Sequence, residues 1–497
     1  MAQKQQREAA PVVAPSHAQS SLLDQIVSEM KVTPASEEYQ GARASVQQLI
    51  GQLIARRKPG ERVDRQLVDV VIADLDRRIG KQVDQVLHHP GFQKLESAWR
   101  GLKLLVDRTD FRENIRINLL QASKHELAAD FDDSPEVVKS GLYRHVYTAE
   151  YGQFGGKPYG VMIANYDFGT GNRDIEILRN CAAVAAMAHA PFIAAASPKI
   201  FGESEKDFSN LPYLKDLDAL FEGPRYAKWT GFRESEDSRY VGLAMPRFLL
   251  RTPYKADEGK TRLFKYDEDV SSSHEDYLWG NAVFALATRM SDSFAKFRWC
   301  PNIIGPRAGG SVDDLPIHLY EAMGEVTAKI PTEVLLSERR EFELSEQGLI
   351  GLTMRKDTDN ACFFSANSLQ KPKFFGISPE GKAAELNYRL GTQLPYLFMI
   401  ARVSHYIKVL QREHIGGWTS ALKLQKELDQ WIKQWVVPDS FADESMISRR
   451  PFREAAVTVE DVPGEAGWYS VAVKLSPHFK YMGANFTLSL VGKLDKK

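Results

Sequence analysis

The sequence predicts an α/β (mixed α+β) protein. It has a body of mixed sheets with flanking helices, an N-terminal helical arm, and C-terminal helices followed by a small antiparallel sheet. Three observations carry this reading. Apolar residues recur at helical spacing through the N-terminal part of the chain. "YGVMIANYDF" (159–168) and "PFIAAAS" (191–197) are short apolar runs on either side of a helical stretch at 174–189, the pattern of a βαβ unit. From Ala455 onward, apolar and polar residues alternate with period two.

Residues 1–20 read as a flexible arm, polar and rich in Ala, Pro and Gln, without the apolar core of a signal peptide. Residues 21–87 read as N-terminal helices. Ser21 and Asp24 form a capping-box-like pattern, and Leu22, Leu23, Ile26, Val27 and Met30 then share one helical face. Further stripes follow at Val46, Leu49, Ile50, Leu53 and Ile54, and at Leu67, Val70, Val71 and Leu75. Such faces need something to pack on, either their own chain or a partner. The first stripe is the candidate partner contact.

A body domain is expected over 88–380. It opens with "HHPGFQKLESAWRGLKLLV", where Pro90 suits a helix start and Phe92, Leu95, Trp99, Leu102 and Val106 form a stripe. Phe92 and Trp99 are its expected structural anchors. Strands are expected from Thr332 to Ala366, because Phe342 and Leu344 alternate with Glu341 and Glu343, and Ile350, Leu352 and Met354 alternate with Gly351 and Thr353.

The C-terminal domain, 381–497, begins with a long helical region expected to kink at Pro395, then a helix holding Leu424, Leu428, Trp431 and Trp435. Strands follow with Val457 and Val459, with Val471 and Val473, and with Phe486, Leu488 and Leu490. A sheet covered on one face leaves outer edges able to recruit a strand from another chain, so these seven residues are strand-exchange candidates.

Composition narrows the function. The chain has 497 residues, 43% hydrophobic and 26% charged, with a formal net charge of −1. Length alone suggests roughly three domains. A near-neutral chain has no bulk drive toward nucleic acid or anionic membranes. Three distant cysteines and no CxxC speak against a disulfide framework and fit a reducing, cytoplasmic setting. No apolar run of about 18 residues is present, so no membrane insertion is expected.

No chemistry stands out. His88 and His89 are adjacent, whereas helical metal ligands sit at i and i+4 to face one ion. "HELAAD" (125–130) lacks the second histidine of HExxH. "DFGTGNRD" sits between a strand and a helix, where a dinucleotide turn belongs, but Asp174 replaces the third glycine and its carboxylate would repel pyrophosphate. Cys300 reads as a buried structural cysteine. No catalytic, metal or cofactor residue is assigned.

Four long stretches resemble one family when read together: "HPGFQKLESAWRGLKLLV", "YVGLAMPRFLLRTPY" (240–254), "LWGNAVFALATRMSDSFAKFRWCPNIIGPRAGG" (278–310) and "LPYLFMIARVSHYIKVLQREHIG" (394–416). The family is the large subunit of the type VI secretion contractile sheath (VipB/TssC-like, EvpB family), and the resemblance runs from about Ser21 to the C-terminus. It implies a non-enzymatic part of a bacterial machine without cofactors. Such a subunit forms an obligate heterodimer with a small sheath subunit (VipA/TssB-like) and stacks with its own copies around an inner tube protein (Hcp-like). The assembly grows from a baseplate at the inner membrane, contracts to drive the tube across the envelope, and is recycled by a Clp-type AAA+ ATPase. Under this reading Leu22, Leu23, Ile26, Val27 and Met30 face the small subunit. The alternatives are a phage-tail-like contractile injection sheath built from one protein, or a nucleotide-binding enzyme using the 167–174 loop.

Overall fold

The computed structural model describes residues 38–56, 65–202, 208–258, 264–322, 324–416, 420–438, 442–463 and 468–478, which fold as two compact units. The first holds the described residues up to Leu87 together with Tyr254–Asp269. Its helices are α1 (Tyr39–Arg56) and α2 (Arg65–Leu87). Val46 and Val71 are buried, whereas Val70 and Ile54 of the expected stripes are exposed. The Tyr266 hydroxyl donates to Asp84 Oδ1 at 2.6 Å and ties the 254–269 excursion to α2.

The second unit holds everything else. Helix α3 (Pro90–Asp107) starts as its sequence demands. His89 Nδ1 accepts from the Gly91 amide at 3.2 Å, and Pro90 takes the first helical position, where an amide is not needed. Helix α4 (Lys124–Asp133) begins with a reciprocal capping box between Ser123 and Glu126. A π-helical turn, Arg144–Tyr151, stacks Tyr143 on Tyr147.

The expected strand–helix–strand unit follows: β1 (Met162–Phe168), α5 (Asn172–Ala188) and β2 (Phe192–Ala196), with the strands parallel. Helix α6 (Ala227–Arg233) buries Trp229 and Phe232, and β3 (Val241–Met245) adds parallel to β2. Short strands β4 (Phe248–Leu249) and β5 (Trp279–Gly280) pair with each other ahead of α7 (Ala282–Phe297). Strand β6 (Ser311–Val312) comes next, then an exposed ribbon of β7 (His318–Ala322) and β8 (Glu325–Lys329).

The strand expected around Phe342 is instead a helix, α8 (Glu338–Glu346). Ser337 Oγ accepts from the Arg340 amide and caps it. Glu341 and Leu344 are both buried while Phe342 is exposed, so the burial repeats at a helical step and the apparent alternation is accidental. Strands β9 (Leu349–Met354) and β10 (Ala361–Phe363) then complete a six-stranded sheet in the order β1-β2-β3-β9-β10-β6. The first four run parallel, and β10 is antiparallel to both its neighbours.

Both faces of this sheet are covered at its inner strands β2 and β3, whereas β1 exposes Asn165 and Asp167. Phe192, Ala194, Val241 and Leu243 join Leu178 and Cys181 of α5 in one core. Ile193, Ala244 and Ile350 join Val283 and Leu286 of α7 in another. Double coverage explains why β2 and β3 are apolar at every position. Gly101 lets α3 lie against α7, since a Cβ there would stand 2.4 Å from the Phe284 ring.

The C-terminal part comprises α9 (Pro379–Gly391), α10 (Leu394–Glu413), α11 (Ala421–Lys433), α12 (Glu444–Arg449), β11 (Phe452–Asp461) and β12 (Tyr469–Pro477). Pro395 does not kink a continuous helix: α9 has ended at Gly391, and Pro395 sits in the first turn of α10. Trp299 is buried here, edge-on to Trp435 at 5.4 Å and to Phe452 at 5.7 Å.

Candidate assembly surfaces

Strands β11 and β12 form a two-stranded antiparallel sheet in which Val457 faces Val473 and Val459 faces Val471. Val457 and Val459 are buried against Leu424, Leu428 and Ile432 of α11. The opposite side, with Thr458, Ala472 and Lys474, alternates toward solvent. The four valines therefore serve the hairpin's own core. What the sheet can offer a neighbour is main chain, because β12 is an outer strand among the described residues. The remaining strand-exchange candidates, Phe486, Leu488 and Leu490, lie outside the described residues, as do Leu22, Leu23, Ile26, Val27 and Met30.

Helix α3 corrects an expectation. Phe92 and Trp99 do not anchor it in the body, since Phe92 is 39% and Trp99 62% exposed. Its packed side carries Ser97, Gly101 and Leu105; Ser97 donates to the Trp279 carbonyl at 2.8 Å, and Leu105 joins the core under α7. The stripe of Phe92, Leu95, Trp99 and Val106 points the other way and is exposed throughout. Helical spacing identified a stripe but could not say which face meets the body. The row is thus a contiguous apolar patch in solvent on an otherwise packed helix, a candidate surface for association.

The groups that suggested chemistry are structurally committed. His89 is the N-cap of α3, and His88 Nδ1 lies 3.6 Å from Asp276. Among the described residues, no group of three or more His, Cys, Asp or Glu is placed to hold a metal ion. In the 167–174 loop the Asp174 carboxylate accepts from the Gly169 amide at 2.7 Å and pairs with Lys124 at 2.7 Å. The protein's own anion thus occupies the start of α5, where a phosphate would need to sit. Burial pushes the Cys300 and Cys362 thiols up to about 12 and raises Cys181 as well, so none is a ready nucleophile. No described helix is long and apolar enough to cross a membrane.

Comparison with known proteins supplies the family. The family model described as EvpB/VC_A0108, tail sheath N-terminal domain, matches residues 69–370, and that of the tail sheath gpW/gp25-like domain matches residues 383–494. The chain belongs to the VipB/EvpB family of type VI secretion sheath proteins. The sheath protein is also 39% identical over 438 residues, 86% of each chain, to the type VI secretion system sheath protein TssC1 of Pseudomonas aeruginosa. Its general role is structural, that of a component of a contractile, phage-tail-like sheath.

Sequence reading missed one region of the sheath protein, the stretch "NIRINLLQ" (114–121) and the cleft beside it. Its signal was visible in the alternation of Ile115 and Ile117 with Asn114, Arg116 and Asn118.

Proposed function

We propose that this chain is the large subunit of a two-component sheath. It pairs with a small sheath subunit and polymerises in the cytoplasm around an inner tube protein, on a baseplate held at the inner membrane. Contraction drives the tube outward, and a Clp-type ATPase recycles the spent sheath. The division proposed is an N-terminal arm and helices (1–20, 21–87) facing the small subunit, a body (88–380), and a C-terminal linking domain (381–497).

The observation that carries the reading is the C-terminal hairpin, within the region that matches a gpW/gp25-like domain. Its outer strand β12 precedes a further alternating segment with Phe486, Leu488 and Leu490. A strand passed between copies would keep neighbours joined by main-chain hydrogen bonds while their bodies exchange contacts. Small differences per subunit, summed over many copies, would supply the work of contraction.

Co-expression with the small-subunit gene, followed by electron microscopy, tests the proposal. Tubular polymers are expected. Dispersed monomers would overturn it, and tubes of this chain alone would indicate a single-protein sheath. Deleting residues 484–497 should leave a folded body and abolish the tubes; long tubes from that variant would refute the linking-strand assignment. Replacing Ile26 and Val27 with aspartate should reduce co-purification of the small subunit; undiminished recovery would place that helix in the chain's own core.

A further inference from the structure

A cleft of ≈ 700 Å³ opens within the second unit between α3, residues 114–119, α7 and α10. Leu102, Phe284, Met290, Phe294 and Phe398 give it an apolar floor. One rim is the stretch from Asn114 to Gln121, whose main chain makes no hydrogen bond within the described residues. Its sides alternate: Ile115 and Ile117 are half-buried, while Asn114, Arg116 and Asn118 are exposed. Leu119 is 68% and Leu120 55% exposed.

The stretch is nevertheless pinned. Arg298 Nη1 donates to the Glu113 carbonyl at 2.7 Å, Asn118 Nδ2 to the Tyr159 hydroxyl at 2.9 Å, and the Tyr166 hydroxyl to the Ala122 carbonyl at 2.6 Å. A fixed, alternating segment with vacant main-chain donors and acceptors has the character of a strand that lacks its neighbour.

Charge identifies what the neighbour carries. Arg402 lines the cleft with its guanidinium 4.6 Å from the Phe294 ring and 4.9 Å from that of Tyr406. It donates to the Tyr406 hydroxyl at 2.6 Å and has no carboxylate partner among the described residues. Arg116 and Lys157 add positive charge at the rim, against Glu150 alone. A half-buried guanidinium in an apolar setting calls for an acid.

The cleft also continues onto α3. Leu102 lines it, and Trp99 and Val106, one turn to either side, begin the exposed stripe. An apolar surface this extensive needs a permanent cover, the property of an obligate partner rather than of a passing one.

We infer that this cleft seats a β-strand of the small sheath subunit, which pairs with the main chain of residues 114–121 and presents a carboxylate to Arg402. The inference rests on the two-component sheath reading, in which the C-terminal segment of this chain already has its place beside β12.

The test uses the full chain co-expressed with the small subunit and a photo-crosslinking amino acid at Asn118. The expected adduct is with the small subunit, on an alternating segment that contains Asp or Glu. An adduct with a second copy of this chain, or with residues 479–497, would overturn the inference. Arg116→Pro removes a main-chain donor, and Arg402→Gln removes the charge. Each should lower the affinity for the small subunit roughly tenfold, with the circular dichroism of the body unchanged. Wild-type affinity in both would also overturn it. Should Arg116→Pro fail to fold, Arg402→Gln and the crosslink still decide. Recovery of the small subunit without any adduct at Asn118 sinks this inference alone, whereas failure of the unmodified chain to recover it sinks the sheath reading too.

Discussion

The six-stranded sheet of the body and the two-stranded sheet at the C-terminus are built to different ends. In the first, β2 and β3 are buried on both faces, hydrogen-bonded on both edges, and apolar at every position. Nothing in them is left for another molecule. In the second, only one face packs, and β12 is an outer strand among the described residues. The difference lies in how much main-chain bonding each sheet leaves unused among the described residues. Strands sealed on every side make a rigid block, and half-covered strands keep main-chain bonding to share.

The largest effect that would sharpen this contrast is at Trp229, fully buried in the body core. Trp229→Ala should cost about 3–5 kcal/mol, seen as a fall in the denaturation midpoint of the whole second unit and loss of any assembly. Overpacking tests the same block from the other direction. A Cβ at Gly242 of β3 would stand 2.9 Å from Leu394 and 3.0 Å from Ile193, on one covered face of the sheet. Gly242→Val should therefore cost about 2–3 kcal/mol or more. A stable Gly242→Val protein would break the claim that the body sheet is sealed.

Next in size is a pH effect where α10 docks on the body. Burial lowers the His405 pKa from 6.5 to about 4, and neighbouring His189, Arg402 and Lys408 push the same way, against the Ala188 carbonyl it contacts at 2.9 Å. Burial lowers His189 too. Between pH 6.5 and about 4 the unfolded chain binds a proton at His405 that the folded chain refuses. Stability is thus full above that window and is lost as pH falls through it, by about 2 kcal/mol at pH 5. His405→Gln should flatten the dependence of midpoint on pH; an unchanged slope would exclude this histidine as its source.

In the hairpin the expected cost is smaller and local. Val459→Ala should remove about 1.5 kcal/mol from β11–β12 packing on α11, read as faster amide exchange there with the body unchanged. Smallest of all is Trp99→Ser, expected to shift stability by no more than about 0.5 kcal/mol while reducing sheath formation. A large loss of stability at Trp99 would mean that α3's outer row serves the fold after all.

Local pattern makes much of this architecture legible in the amino-acid sequence. The βαβ unit at 159–197 can be read because β2 is buried at every position and so must be a continuous apolar run, while β1, with Asn165 and Asp167 exposed, still opens on the apolar run Met162–Ala164. The hairpin can be read because half-covered strands must alternate. Helix α8 is not legible as a helix: Phe342 and Leu344 mimic a strand, and only the Ser337 cap and the burial of Glu341 reveal the turn. The outward row of α3 is visible as a row but not as outward, since direction is set by Phe284, distant in sequence, meeting Gly101. The cleft at 114–121 is hidden for the same reason: α3, α7 and α10 converge on it from far apart in the chain.

The carboxylate bridge of Asp174 to Gly169 and Lys124 has a mechanical meaning. In many parallel sheets the turn after the first strand is a cradle that yields as a ligand enters and leaves. Here the turn is cross-braced by its own side chain, so a pull on α5 passes into β1 with little give. At that corner the chain has a stiff joint in the place of a receptor.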